Sequence, residues 1–311
     1  MTTIDLSTPP PRPSGLLDAL PRRATLTLAE LRLVAQHAGG APLPFDLVEG
    51  EDDAGEDALE GRLGRTRTSE ECSAYTEALT ALHDPSDSLT RRGLMVGASI
   101  DEGLVGAVGL LATPRVALDL DVTAGHLQAK AWHRQCGDAV ATLATVDGIV
   151  FELAWFPHAQ WPAELGRVAV VPEDVELRES AVPDEIDLPY ELVDAALEAV
   201  RASRPELVAV LVAQHSGAVL DGAGELLTDQ ETLEVLTALA TESRGRLRGL
   251  VADVPSKLTT VVGVVSWVLL HDGWHALSPC TRGGQLRIVV RHVEPGDLAR
   301  DLAPVLAAVT T

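Results

Sequence analysis

The sequence predicts an α+β fold with a pseudo-two-fold internal repeat, in which helices flank a central antiparallel sheet. Three observations carry this expectation. Two helices announce their starts with capping boxes, Thr27 with Glu30 and Thr228 with Glu231. Several segments alternate apolar and polar residues with the period of a half-buried strand, and Gly-containing turns separate them. The same order of parts, helices then four strands then a closing helix, is read twice along the 311 residues.

Residues 1–25 are expected to be a disordered tail, extended at Pro9-Pro10-Pro11. A first helix starts near Thr27, with Leu28, Leu31, Val34 and Ala35 as its stripe; Gly39-Gly40 stops it. The acidic run Glu49 to Glu60 reads as a loop reaching Arg67. Helical patterning resumes over Ser69–Leu82 and again over Leu94–Leu111, and Thr113-Pro114 ends it. Val116 to Val122 alternate as a strand. Leu127–Gln135, Ala139–Val146 and Ile149–Phe156 follow, with turns at Gly137-Asp138 and Asp147-Gly148. The second turn is expected to be type I′, which needs positive φ at both central positions. A short helix over Ala159–Val168 closes the first half.

The Pro- and acid-rich stretch 171–187 reads as a linker between an N-terminal half, 26–170, and a C-terminal half, 188–311. The second half opens with helices over Leu188–Ala202, Pro205–His215 and from Thr228 to about Ser243. Strands follow at Arg246–Asp253, Thr259–Leu270, Gly273–Pro279 and Gln285–Val293, and a last helix starts at Pro295. The closing hairpins of the halves align: Asp147 and Gly283 begin matching turns, and Pro157 and Pro295 mark matching stops. Each meander has an edge, so joining the two edges would give one shared sheet.

The formal net charge is −22, and only two of the 24 basic residues are lysines, Lys130 and Lys257. Such a field repels phosphate backbones and anionic lipid, which argues against nucleic acid and membrane as partners. Three cysteines, Cys72, Cys136 and Cys280, are widely spaced, as suits a reducing cytoplasm. The N-terminus has no signal-peptide pattern, and the longest apolar run, Val261–Leu270, is too short to span a bilayer.

No catalytic constellation emerges. There is no phosphate-loop motif and no nucleophile elbow, and Gly222-x-Gly224 lacks the third glycine of a dinucleotide fingerprint. His133 and Cys136 have ligand-like spacing but lack the further donors a zinc site needs. His271 and His275 are separated by the turn at Asp272-Gly273, so they do not share a helix face. Asp119 and Asp121 read as the wet face of a strand. The expectation is a non-enzyme with no cofactor and no metal. Among the five tryptophans, Trp267 reads as core; Trp132, on one strand face with Gln128, Lys130 and Arg134, is the better candidate for a contact surface.

Diffuse patterns along most of the chain, from about Leu26 to Val309, resemble the EspG family of type VII (ESX) secretion-associated chaperones of actinobacteria. They are Leu26-Thr-Leu-Ala-Glu-Leu with Gly40-Ala-Pro-Leu-Pro-Phe, then Gly109-Leu-Leu-Ala-Thr-Pro-Arg-Val-Ala-Leu-Asp-Leu. Val264-Val-Ser-Trp-Val-Leu-Leu-His-Asp-Gly-Trp and Glu294-Pro-Gly-Asp-Leu-Ala-Arg-Asp-Leu complete the set. Leu269 to Trp274 departs from the family's D-T-x-x-G-R-like turn. The resemblance implies a cytoplasmic chaperone without catalysis, a monomer or weak dimer. Such a protein would hold a helical ESX substrate, such as a PE–PPE-type heterodimer, in solution before export. It further implies contact through a sheet loop and the C-terminal helical region. The candidate partner-binding residues are Trp132, Arg134, Gly137, Asp138, Thr228 and Glu231. The alternatives are a scaffold or regulator that keeps the fold without a secretion client, and an enzyme of unrecognised class.

Overall fold

The computed structural model describes residues 21–45, 84–254 and 260–309. The sequence-predicted acidic loop and the helix over Ser69–Leu82 lie outside the described residues, as do Cys72 and the first twenty residues of the tail.

The chain order is β1 (Arg22–Thr27), α1 (Leu28–His37), α2 (Pro85–Arg91), β2 (Met95–Val96), β3 (Ser99–Ile100) and α3 (Glu102–Ala112). The first meander follows as β4 (Val116–Ala124), β5 (Leu127–Cys136), β6 (Ala139–Thr145) and β7 (Val150–Pro157), closed by α4 (Trp161–Val168). Then come β8 (Glu185–Pro189), α5 (Tyr190–Arg201), α6 (Glu206–Gln214), β9 (Leu220–Asp221) and α7 (Asp229–Thr241). The second meander is β10 (Gly245–Asp253), β11 (Thr260–Leu269), β12 (Trp274–Arg282) and β13 (Gln285–Val293), closed by α8 (Leu298–Val309).

Among the described residues eleven strands form one sheet in the order β1-β7-β6-β5-β4-β10-β11-β12-β13-β8-β9. The seam is the antiparallel pair β4–β10, running from Ala124 opposite Gly245 to Val116 opposite Asp253. Outward from that seam the meander strands run in chain order on each side, and each meander's last strand then pairs with the strand opening its half. At Gly245 an added Cβ would lie 2.2 Å from the Thr123 carbonyl oxygen, so the seam closes too tightly there for a side chain.

Among the described residues three apolar clusters surround the sheet. On one face α4 and α8 lie across the middle, packing Trp161, Leu165, Leu298 and Leu302 on Val116, Leu118, Leu120, Val122, Leu247 and Trp267. On the other face α1, α2 and α3 cover the first wing, over Ala141, Leu143, Phe151 and Leu153. Helices α5, α6 and α7 cover the second wing of that face, over Ile186, Leu188, Ile288 and Val290.

Both predicted capping boxes are present, with Glu30 N bonded to Thr27 Oγ1 and Glu231 N to Thr228 Oγ1 at 3.2 Å each. Several local expectations are corrected. Residues 22–25 of the expected tail belong to β1, which pairs with β7 from Arg22 opposite Trp155. The helix expected from Leu94 begins only after the β2–β3 hairpin, where Asp101 caps it by accepting from Leu104 N at 3.1 Å. Helix α2, capped by Asp84 with Pro85 in its first turn, was not anticipated. Residues 185–187 of the expected linker are strand, paired with β13, so α5 starts at Tyr190 rather than Leu188.

The Asp147-Gly148 turn is not type I′. Only Gly148 has positive φ, and the Asp147 carboxylate instead accepts from Ile149 N and Val150 N, an Asx-type closure. Positive φ at both centres of a two-residue hairpin occurs at Gly283-Gly284, between the paired Arg282 and Gln285.

Strand β12 also runs past Pro279, where the sequence reading stopped it. Among the described residues β11 and β12 pair only from Trp267 opposite Ala276 to Leu269 opposite Trp274. Counting back from the two-residue turn, hydrogen-bonded pairs with β13 fall at Arg282, Cys280 and Ser278. Pro279 therefore faces the gap, where no N–H is needed.

Candidate functional site

The strands at the seam bury one set of alternating residues under α4 and α8 and present the other set to the opposite face. The described helices of that face lie over the outer strands: α3 packs on β5, β6 and β7, and α5 on β13 and β8. Between the two wings, among the described residues, runs an open strip of sheet. Its residues are Gln128, Lys130 and Trp132 on β5, Asp119, Asp121 and Thr123 on β4, Arg246, Arg248 and Leu250 on β10, and Val264 and Ser266 on β11, all half-buried or exposed.

Register sets the chemistry of this strip. Asp121 stands opposite Lys130 on one side and Arg248 on the other. Asp119 stands opposite Trp132 and Leu250, and Leu250 opposite Val264. Burial pushes the Asp121 carboxyl up, against the pull of Lys130, Arg246 and Arg248. Burial lowers the Arg246 guanidinium, and repulsion from Arg248 and from Arg201 at the end of α5 adds to it. In a chain of net charge −22 this cluster of cations is a local reversal of sign. Small apolar patches border it at Trp132 on one side and Leu250 with Val264 on the other.

The predicted contact residues separate into three places. Trp132 is half-buried at the border of the strip, with its ring centroid 5.8 Å from that of Phe45. Arg134 is buried at 6% exposure, so its guanidinium is committed inward: Nη1 donates to Asp119 Oδ1 at 2.6 Å and to the His133 carbonyl at 3.1 Å. Gly137 and Asp138 form the exposed tip of the β5–β6 hairpin, and the Asp138 carbonyl accepts from His158 N at 2.7 Å. Thr228 and Glu231 are exposed and occupied in their mutual capping box.

The cationic residues Arg246, Arg248 and Arg201 were not singled out from the sequence. Register across the β4–β10 seam brings the first two onto Asp121, and that pairing joins strands more than a hundred residues apart.

The histidines also sort differently from their spacing. His133 is fully buried and accepts from Trp161 Nε1 at 2.9 Å through Nδ1, while Cys136 is exposed, so the two do not share a site. Burial, with Arg134 nearby, holds the His133 imidazole down to about 3. His271 turns to Arg178 at 2.8 Å and Glu242 at 3.4 Å. His275 instead faces His292, which the sequence reading did not consider.

No helix among the described residues is long and apolar enough to cross a membrane. No protein-family model matches the chain, and no curated protein does. Among solved structures, the chain is similar to the Mycobacterium tuberculosis type VII secretion system chaperone EspG5, whose structure is a complex with the PE25–PPE41 dimer. The TM-score is 0.58 at 11% sequence identity, over 92% of this chain and 96% of that one. This likeness establishes that the mixed α and β architecture, with its large antiparallel sheet, is that of the chaperone.

Proposed function

We propose that this protein is a cytoplasmic, non-catalytic chaperone of the type VII secretion kind, which holds a helical PE–PPE-like substrate in solution before export. The single observation that carries the reading is the likeness to EspG5 across nearly the full length of both chains. The open strip between the wings supplies a surface of suitable chemistry. Cations from Lys130, Arg246 and Arg248 suit the polar or acidic tip of a helical client, and Trp132, Leu250 and Val264 offer small apolar contacts. The hairpin tip at Gly137-Asp138 and the start of α7 at Thr228 and Glu231 are the secondary contacts. Arg134 acts by fixing Asp119 rather than by touching the client. The sheet's outward order is best read as a duplicated helix-plus-meander unit, 26–170 and 188–311, each extended at its start by β1 or β8.

The test is co-expression with a PE–PPE-type pair, followed by affinity capture and size-exclusion chromatography. A ternary complex is expected, and the double change Arg246→Glu with Arg248→Glu should weaken it at least tenfold without altering the melting temperature. Capture of no such pair would overturn the reading in favour of a scaffold that has kept the fold. A complex indifferent to the double change would remove the strip as its site.

A further inference from the structure

We propose a divalent transition-metal site, of the kind that takes Zn²⁺, at Asp272, His275 and His292. Each of the three offers one ligand atom, and these atoms all lie within 4.8 Å of one another. The cluster is built by register and by one turn. His275 of β12 and His292 of β13 are directly opposed, with ring centroids 5.2 Å apart and planes at 82°. The β11–β12 loop returns Asp272 over them, placing its Oδ1 2.9 Å from His275 Nε2. Gly273 makes that return possible. Its φ is +141°, and a Cβ there would lie 3.2 Å from His292 Nε2, so a side chain would crowd the ring nitrogen.

Protein-only interactions leave this group of side chains incompletely satisfied. His275 is fully buried, and its Nδ1 has no hydrogen-bond partner among the described residues. An orphaned buried polar atom of this kind is destabilising and calls for a reason. Asp272 and His292 are half-buried, which leaves the cluster one approach from solvent.

Two imidazoles and a carboxylate form a borderline donor set that suits Zn²⁺ rather than Mg²⁺ or Ca²⁺, which prefer oxygen alone. Three protein donors are one short of a closed tetrahedral site, so water or a nearby carboxylate completes it. The backbone carbonyl of Asp184 accepts from His292 N at 2.7 Å, which fixes the β13 side of the cluster. Bound metal would fasten the β11–β12 loop to β12 and β13.

The experiment uses full-length, tag-free protein stripped with a chelator. Co²⁺ is titrated while visible absorption is followed, and Zn²⁺ is then used to displace it. One equivalent with a tetrahedral spectrum is expected, indifferent to excess Mg²⁺. Asp272→Asn and His292→Gln should each weaken binding at least about tenfold, the scale on which even outer-shell partners act. His126→Gln, at an exposed histidine remote in sequence, should change nothing. Zn²⁺ should raise the melting temperature of the parent protein and of His126→Gln, but not of Asp272→Asn. Absence of a stoichiometric Co²⁺ signal would overturn the site. So would binding that Mg²⁺ abolishes, or equal affinity in the Asp272 and His292 variants.

Discussion

The two meanders have the same strand order but close differently. In the first, β5 and β6 pair without interruption from Lys130 opposite Thr145 to Cys136 opposite Ala139. In the second, the corresponding strands β11 and β12 meet over Trp267–Leu269 and then part. Each half also ties its second meander strand to its closing helix by an indole hydrogen bond, with the direction reversed. In the first half the helix donates, from Trp161 Nε1 to His133 on β5. In the second half the strand donates, from Trp267 Nε1 to Asp301 Oδ2 on α8 at 3.0 Å. One acceptor is a neutral ring and the other a carboxylate, so the two ties respond differently to packing loss and to pH.

The largest expected effect is at the short seam. Trp267 is fully buried beside Trp274, with ring centroids 6.3 Å apart, and Trp274 Nε1 donates to the Ala169 carbonyl at 2.7 Å. Trp267→Ala should cost about 3–5 kcal/mol in chemical denaturation. Hydrogen exchange should also show the β12–β13 hairpin opening before β5–β6. Uniform protection of both seams in that variant would contradict the contrast drawn above.

His133 makes the first half sensitive to acid. His133 is held down to about 3, while an unfolded imidazole titrates near its ordinary 6.5. The unfolded chain therefore binds a proton that the folded chain refuses, and stability falls as pH drops from 6.5 toward 3. Between pH 7 and pH 5 this one group should remove about 2 kcal/mol. His133→Gln keeps an acceptor for Trp161 and should flatten that part of the stability–pH curve. An unchanged slope would show that the ring is not the neutral acceptor its surroundings imply.

The smallest effect is expected where the strands have parted. Val264 is 44% exposed, and Val264→Thr should shift stability by no more than about 0.5 kcal/mol. A larger loss would mean that the gap is covered in solution.

Much of this fold is legible in the sequence because local chemistry decides it. Thr27 and Thr228 sit three residues before a glutamate, and Val116 to Ala124 alternate cleanly, so the caps and β4 are written locally. β1 and β8 are not. Each is short and flanked by charge or proline, and each is a strand because a long-range partner, β7 or β13, offers it an edge. The type of the Asp147-Gly148 turn was missed because an aspartate can close a loop through its carboxylate as readily as through positive φ. Of the candidate site, Trp132 could be read from alternation alone. The cation cluster could not, since Arg246 and Arg248 meet Asp121 only through the β4–β10 register. Arg134 was legible as a neighbour of Trp132 but not as the buried partner of Asp119.

The parting of β11 from β12 also bears on how separate molecules meet. Among the described residues it leaves two stretches of strand edge without a strand partner inside the sheet, with Val261 exposed along one of them. Such a rim is a template for a strand from another copy, and mutual repulsion between bodies of charge −22 stands in its way. Concentrated salt shortens the reach of that repulsion to a few ångströms. High ionic strength is therefore the condition in which light scattering should first detect self-assembly, growing rim to rim.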